Sequence, residues 1–365
     1  MSARPLPVAF EDITPQWLTA ALRPKAPDAT VRGVAIVDMI RATCTKIRLR
    51  LDLDEAARRA GIPELVILKG GFEPHSRQLG SLGAMHEREV RGYRDVLSRV
   101  SLPSPACFFA DYDPERQQGI IIMEDLVTRG VTFCHALKPQ TFEQVARRLT
   151  ALARFHAGTW ANSGSPDFAP AGKWGGLDDF LFACKPFFDV KTAPDNWARF
   201  VGLPRGAASS VRFHDRAWIV DAFGRMMRYA RTLPHCVLHG DTHLGNLYIE
   251  PDGTPGFLDT LASRGPAMLE ISYHVSCALD VADRARLEAA LVQHYLDELA
   301  RNGVDAPPFD DAMRQYGIFL LYGYFIWMTT ESNYQTEAVN AANAARVSAA
   351  MIDHDIMRLI GTIGE

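Results

Sequence analysis

Three side chains that offer oxygen atoms stand close together in the segment that begins at His239. Asp241 and Asn246 lie within His239-Gly-Asp-Thr-His-Leu-Gly-Asn246, and Asp259 follows after two short strand-like runs. Carboxylate and amide oxygens are the ligands that Mg²⁺ prefers in proteins. The set therefore indicates a magnesium site formed by Asn246 and Asp259, with the Asp241 carboxylate left to act as a base.

A hairpin is expected to bring these side chains together. The runs 247–250 and 255–258 flank Asp252-Gly253, a pair that favours a two-residue hairpin turn. A turn centred on that pair predicts that Asn246 and Asp259 face each other at the open end of the hairpin, close to Asp241. A register slip of one residue would change the pairing but would not separate the ends.

The spacing of Asp241 and Asn246 points to phosphoryl transfer. Their offset equals that of Asp and Asn in the kinase catalytic loop H-R-D-x-x-x-x-N, and His239 occupies the place of its histidine. A tight turn capped by Asp241 would use similar residues, but it would leave Asp259 unexplained. We therefore interpret Asp241 as catalytic and His239 as a supporting residue.

A second pair of residues, far upstream, fits the same chemistry. Lys69 ends the apolar run Leu65-Val-Ile-Leu-Lys69, and Glu89 interrupts an apolar helical stripe formed by Met85, Tyr93 and Val96. A carboxylate on a face that packs into the core is costly unless it is paired. We expect Lys69 to pair with Glu89 and to hold the α- and β-phosphates of a nucleotide.

Other nucleotide contacts are predicted from position alone. Thr43 and Thr45 lie in the turn between the first two strands, where backbone N–H groups and hydroxyls can bind phosphate oxygens. The apolar strand 119–123 runs into Glu124-Asp125-Leu126, whose backbone is expected to contact adenine. The sequence of each of these segments is equally consistent with an ordinary turn or strand end that binds no nucleotide.

Several further residues are assigned weaker roles. His156 lies on the apolar face of a helix that begins after Thr141, and we expect it to be a core histidine that supports the catalytic loop. Tyr324 and Trp327 belong to an aromatic run that is expected to line a substrate pocket, although such stripes are more often core.

Composition excludes several classes of protein. The 365 residues are 47% hydrophobic with a net charge of −4, which fits a chain with a sizeable core and argues against a nucleic-acid surface. The six cysteines are scattered without a CxxC pair, as expected for free thiols in a reducing compartment. The beginning of the chain lacks the pattern of a signal peptide, and the longest apolar run is too short to span a bilayer. We expect a cytoplasmic protein.

The order of the patterns predicts a two-lobed α+β fold. Strands and one helix dominate residues 1–125, a hinge is expected at 124–128, and residues 126–365 are mainly helical and carry the catalytic hairpin at 236–260. The first unit is interpreted as a nucleotide-binding lobe with a small antiparallel sheet.

With these residues assembled, the chain resembles the aminoglycoside phosphotransferase and choline kinase-like family, small-molecule kinases of protein-kinase-like fold. HGDTHLGN and the following Leu258-Asp259 carry the resemblance, and Leu152-Ala-Arg-Phe-His-Ala157 and Gly265-Pro266 support it. Glu270 stands where the family has an aspartate, and Thr260 where many relatives have tryptophan. The resemblance implies ATP and Mg²⁺ as cofactors.

The expected function is transfer of the ATP γ-phosphoryl group to a hydroxyl of a small molecule. One alternative is a metal-dependent phosphoesterase built on the cluster His239, Asp241 and His243. Another is a non-catalytic ATP-binding protein of the same fold. No pattern in the sequence identifies the acceptor, the preference for ATP over GTP, or the oligomeric state.

Overall fold

The computed structural model describes residues 5–41, 44–73, 76–77, 80–162 and 164–364. The chain forms two compact units, one made of Met1–Arg99 with Ser104–Val131 and the other of Val100–Pro103 with Thr132–Glu365. The first is rich in strands and the second in helices, which confirms the predicted α+β fold class. The predicted division at residue 125 and hinge at 124–128 stay predictions.

A five-stranded antiparallel sheet forms the centre of the N-terminal unit, in the order β1-β2-β3-β5-β4. Its strands are β1 Val31–Ile40, β2 Thr45–Leu53, β3 Leu65–Gly70, β4 Cys107–Asp113 and β5 Gln118–Glu124. Its helices are α1 Pro15–Leu22, α2 Glu55–Arg59 and α3 Gly80–Arg91, which a π-helical turn at Gly92–Val96 extends. Four of the strands match runs that the sequence predicts, whereas β4, α1 and α2 were not predicted.

Alternation in β2 shows why this sheet forms. Ile47, Leu49 and Leu51 are buried, and the arginines between them lie toward solvent, which is the period-two pattern of a strand with one face in the core. Strand β5 lies between β3 and β4 and is buried along almost all of its length. Val90 of α3 and Tyr93 of its π-helical extension pack on Ile121 and Met123 of β5.

Helices build most of the second unit. They are α4 Phe142–Ala157, α5 Phe180–Lys191, α6 Pro194–Val201, α7 Pro204–Ala208, α8 Arg216–Ala230, α9 Ala267–Ala278, α10 Val281–Arg301, α11 Phe309–Thr329, α12 Glu337–Asp353 and α13 Ile356–Gly361. The helix expected after Thr141 is α4, and it begins with a capping box: the Thr141 hydroxyl accepts from the Gln144 amide, and the Gln144 side chain accepts from the Thr141 amide. None of the described helices is long and apolar enough to span a lipid bilayer.

Two small antiparallel sheets support the predicted catalytic segment. One has the order β10-β9-β6 and the other β11-β8-β7. Their strands are β6 Thr132–Phe133, β7 Ala161–Asn162, β8 Pro234–Leu238, β9 Leu247–Ile249, β10 Pro255–Phe257 and β11 Ser263–Gly265. Beneath them α9 is buried over its whole length. All six cysteines carry free thiols, as their spacing predicts.

Candidate active site

The loop that carries Asp241 begins where β8 ends. The last four residues of β8 are buried, and the chain then turns at Gly240, whose φ is +88°. A Cβ at this position would lie 2.6 Å from the Leu261 carbonyl oxygen. Only glycine fits this backbone conformation and this close approach. The turn therefore fixes the direction in which Asp241 leaves the strand.

Asp241 and Asn246 are joined by two hydrogen bonds. The Asn246 amide nitrogen donates to the main-chain carbonyl of Asp241 at 3.0 Å and to its Oδ2 at 2.8 Å. Because both bonds need a donor, the amide orientation is fixed, and the Asn246 Oδ1 accepts from no described residue. This oxygen is available to a cation. The sequence prediction that these two residues lie together is confirmed.

The hairpin register differs from the prediction by one residue. Leu247 pairs with Phe257 and Ile249 with Pro255, and the Leu258 amide donates to the Asn246 carbonyl at 2.8 Å. Asn246 therefore lies opposite Leu258, not opposite Asp259. The reason is a three-residue loop in place of the expected two-residue turn.

That loop is closed at Glu250, whose amide donates to the Thr254 carbonyl at 2.9 Å, and the Gly253 amide donates to the Glu250 carbonyl at 2.8 Å. Gly253 has a φ of +84°, the left-handed position that such three-residue loops need. Asp259 itself has a φ of +58°. A left-handed conformation is strained for a non-glycine residue and is found more often at functional sites.

From α9, Glu270 supports residues 239–246, the proposed catalytic loop. Its Oε2 accepts the His239 amide at 3.1 Å, and its Oε1 accepts the Gly240 amide at 2.7 Å. His156 of α4 lies with Nε2 2.9 Å from Glu270 Oε2 and Nδ1 2.8 Å from the Tyr295 hydroxyl. The expected supporting role of His156 thus has a structural basis, and Glu270 is the group through which it would act.

The charge of Glu270 is stabilised by these contacts. Burial alone would raise its pKa, but hydrogen bonding to His156, the nearby imidazoles and the Gly240 amide lower the pKa of Glu270 below its ordinary value. Sequence reasoning noted Glu270 only as a replacement for aspartate. A carboxylate within a wholly buried helix was the signal that it had a partner.

His239 and His243 point to structural roles. Each Nδ1 accepts a backbone amide, from Asp241 at 3.2 Å and from Gly245 at 3.0 Å respectively. The His239 ring is fully buried 5.8 Å from that of Phe257. Burial lowers the pKa of His239, although the carboxylates of Glu270, Asp241 and Asp259 oppose this. Asp259 is therefore near enough to His239 to affect its charge.

No transition-metal cluster is found in the described part of the chain. Within it, no three His, Cys, Asp or Glu side chains come together in a way that could hold a metal ion. His243 Nε2 lies 3.6 Å from Asp241 Oδ2, while His239 turns its ring toward Phe257. His239, Asp241 and His243 therefore do not form a three-residue metal-binding group in the part of the chain that the structure describes.

Aromatic residues pack next to Asp241. The Tyr273 hydroxyl lies 3.5 Å from Asp241 Oδ1, and its ring stacks on Trp327 at 6.2 Å. The Trp327 ring also meets His243 edge-on at 5.4 Å. Tyr324 lies in the core, with its hydroxyl donating to the Phe213 carbonyl at 3.4 Å. Trp327 and Tyr324 expose 1% and 0% of their surface, so substrate contact by either stays a prediction.

In the N-terminal unit, Lys69 and Glu89 form the predicted ion pair. Lys69 Nζ lies 2.5 Å from Glu89 Oε1, and both side chains are buried. His86, one turn earlier on α3, was not predicted to belong here. Its Nδ1 lies 2.9 Å from the Cys44 sulfur, and burial followed by the positive charge of Lys69 lowers the pKa of His86 to about 4. A neutral imidazole therefore stands beside the pair.

The structure describes some, but not all, of the other residues predicted to contact the nucleotide. Thr43 lies outside the described residues. Thr45 is the first residue of β2 and is buried, and its hydroxyl has no hydrogen-bond partner among the described residues. The Glu124 amide already donates to the Ala106 carbonyl at 2.9 Å, so an adenine contact at 124–126 has to use other groups. Leu126 is buried at the start of a short 3₁₀ turn.

Comparison with known proteins identifies the family. A model of the ecdysteroid kinase-like family matches residues 42–304, more than half of the chain. The chain belongs to the ecdysteroid kinase-like family. This family is kinase-like, and membership of it confirms the resemblance to small-molecule kinases drawn from the sequence. No curated protein sequence matches this ecdysteroid kinase-like chain significantly.

Solved structures confirm the protein-kinase-like fold of this ecdysteroid kinase-like protein. A proposed aminoglycoside phosphotransferase from Ralstonia eutropha JMP134 is similar with a TM-score of 0.51 and 14% identity, covering 93% of this chain and 97% of the other. Amicoumacin kinase hAmiN, solved with AMP-PNP, Ca²⁺ and Ami, is similar with a TM-score of 0.50 and 14% identity, covering 88% of each chain. At such identities the likeness concerns the fold alone.

Proposed function

We propose that this protein transfers the γ-phosphoryl group of ATP to a hydroxyl of a small molecule. The acceptor oxygen forms a bond to the γ-phosphorus, the bond from that phosphorus to the β,γ-bridging oxygen breaks, and ADP leaves. The acceptor proton passes to the Asp241 carboxylate. Family membership supports the reaction class, and the assignment of roles rests on the geometry of the loop.

The observation that carries the proposal is that the nitrogen and the oxygen of the Asn246 amide have different roles. Its nitrogen orients Asp241 through two hydrogen bonds, and its oxygen remains available as a ligand. Asp259 supplies a second oxygen ligand from a strained backbone position. The donor set suits Mg²⁺, which is usually bound by one or two protein oxygens together with substrate phosphates. Mg²⁺ would neutralise the negative charge that develops on the phosphates.

In the N-terminal unit, Lys69 would bind the α- and β-phosphates while Glu89 holds its side chain in place. The backbone at residues 43–45 and at 124–126 would contact phosphate and adenine. The structure of amicoumacin kinase, a protein of the same fold, contains AMP-PNP and a divalent cation, which supports a nucleotide and a divalent metal ion here. Most of the catalytic effect would then come from positioning and electrostatics.

A transfer assay tests the proposal. ADP release is measured with MgATP across a panel of hydroxylated small molecules, for wild type, Asp241→Asn and the exposed control Asp28→Asn. We expect Asp241→Asn to lower kcat by roughly 10²–10⁴-fold while AMP-PNP affinity stays near that of wild type. Near-wild-type transfer by Asp241→Asn would refute the role of Asp241 as a base. Acceptor-independent nucleotide binding without any transfer would instead favour the non-catalytic alternative.

A further inference from the structure

The helical unit contains a cavity that the proposed reaction does not use. Its volume is about 100 Å³, and its lining comes from the segment after α4, the starts of β8 and α9, the helices α10 and α11, and the loop between these two helices. Most of the lining is apolar, including Met268 and Leu299. An engineered apolar cavity of ~150 Å³ is large enough for benzene. This cavity has about two thirds of that volume and is partly open to solvent, so it has room for a short hydrocarbon chain or for most of one small ring, with the rest of the molecule at the open side.

The cavity lies at the far end of the strand that carries the catalytic loop. Pro234, which lines it, is the first residue of β8, and Leu238, which precedes His239, is the last. A strand rises ~3.3 Å per residue, so these two positions are about 13 Å apart. A molecule in the cavity is thus separate from an acceptor at Asp241.

One polar side chain in the cavity lacks a partner. Gln315 of α11 is 9% exposed, lines the cavity, and makes no hydrogen bond with any described residue. Because this amide borders the cavity and makes no bond within the described chain, its oxygen can accept a hydrogen bond from a ligand there.

The charge at the cavity is negative. Asp305 is the one charged side chain among the lining residues, all of which are described, and it forms no hydrogen bond or ion pair within the described chain. The half-buried ring of Trp160 is part of the same lining. A carboxylate, an amide oxygen and an indole ring together favour a cation, and the apolar remainder of the lining favours a hydrocarbon body.

We propose that this cavity binds a small primary amine with an apolar body no larger than benzene, and that the amine end lies at the open side of the cavity, beside the exposed Asp305. The ammonium group contacts the Asp305 carboxylate and the Gln315 amide oxygen, and the body packs between Trp160, Met268 and Tyr295. This cavity is distinct from the proposed phosphoryl-transfer site, and binding of an amine there does not depend on the proposed function.

The occupant would touch the residues that hold the catalytic loop. Tyr295 lines the cavity, and its hydroxyl is 2.8 Å from His156 Nδ1. Met268 precedes Glu270 on the same turn of α9. A molecule that binds the folded protein alone stabilises it by mass action. Binding is therefore expected to raise the melting temperature of the helical unit.

Benzylamine is the test probe, and benzyl alcohol is its uncharged counterpart. Affinities for the full-length protein are measured by calorimetry and by thermal shift at pH 7. We expect benzylamine to bind roughly tenfold more tightly than benzyl alcohol, the contribution of one charge-assisted contact. Equal affinity for the two compounds, or no binding of either, would overturn the proposal.

Variants locate the site. Asp305→Asn, in an exposed loop, is expected to weaken benzylamine binding about tenfold without changing benzyl alcohol binding, whereas the exposed Asp310→Asn leaves both unchanged. Gln315→Leu is a second variant, in which benzylamine affinity falls and benzyl alcohol affinity does not. Because benzylamine can also enter an acceptor site, Asp241→Asn is measured alongside. Loss of binding in Asp241→Asn, or unchanged binding in both Asp305→Asn and Gln315→Leu, places the amine elsewhere and rejects the assignment.

Discussion

The Asn246 side chain holds Asp241 at two points, donating to its carbonyl oxygen at 3.0 Å and to its carboxylate at 2.8 Å. One residue thereby fixes both the backbone and the side chain of the proposed base. The same amide presents its oxygen away from Asp241. Orientation of the base and binding of the cation are consequently coupled through one side chain, which predicts that they are lost together.

Asn246→Ala removes the oxygen ligand and both hydrogen bonds. We expect kcat to fall by roughly 10²–10³-fold and the Mg²⁺ concentration for half-maximal rate to rise by roughly 10–100-fold. Steady-state rates across a Mg²⁺ series measure both, with the exposed Asn302→Ala as control. A variant with reduced kcat but unchanged Mg²⁺ dependence would show that Asn246 orients Asp241 without binding the cation.

The Lys69–Glu89 pair allows stability and nucleotide binding to be separated. Lys69→Met leaves Glu89 buried without its partner at 2.5 Å and should destabilise the N-terminal unit by about 3 kcal/mol. Lys69→Met combined with Glu89→Leu removes both charges and should recover most of that stability. AMP-PNP affinity, measured by calorimetry, is expected to stay low in both. If the double variant bound AMP-PNP like wild type, Lys69 would have only a structural role.

The sequence predicted contacts correctly where a residue requires a particular kind of partner and the chain offers one. A glutamate on a helix stripe that packs into the core needs a cation, and Lys69 was the available one. An offset between Asp241 and Asn246 that matches a kinase loop similarly predicted their contact. Strand β2 was predictable because its buried and exposed residues alternate.

It failed where the outcome depends on tertiary context. Every residue of β4 is half-buried, so its sequence lacks the alternation that marks a strand. The hairpin turn depended on whether Pro251 joins Asp252-Gly253 in the loop, and a difference of one residue shifted Asn246 away from Asp259. The role of Glu270 depends on His156, which is far away in sequence and meets it only after α4 packs near α9.

Glu270→Gln is expected to loosen the catalytic loop. The amide keeps one acceptor for the His239 and Gly240 amides and turns a donor toward the other, a loss of about 2 kcal/mol. Since the pKa of Glu270 is lowered in the folded state, the stability that its charge contributes is fully present above the unfolded-state pKa of about 4.5. That stability is lost as the pH falls through the folded-state pKa.

The free energy of unfolding, measured by denaturant titration between pH 7 and pH 3, checks this prediction. The difference between wild type and Glu270→Gln should be constant near neutrality and should shrink below about pH 4.5. Glu115→Gln, in the exposed turn between β4 and β5, is the control. A difference that grew in acid would mean that Glu270 is protonated in the folded protein.

The buried imidazole of His274 is expected to make the free energy of unfolding depend on pH for a different reason. Its Nδ1 lies 2.9 Å from the Thr242 carbonyl of the catalytic loop, and the ring is fully buried. Burial, with the positive charge of Arg148, lowers the pKa of His274 to about 3. Between pH 6.5 and that value the unfolded chain binds a proton that the folded protein does not.

Stability should therefore fall with decreasing pH over this range, by up to about 1.4 kcal/mol per pH unit from this one group. His274→Asn places an amide donor near the position of Nδ1 and removes the titration, so its free energy of unfolding should depend less steeply on pH between 6.5 and 4.5. The exposed His135→Asn is expected to keep the wild-type slope. Equal slopes for wild type and His274→Asn would show that the buried imidazole does not contribute to acid sensitivity, whatever the offset in stability between the two proteins.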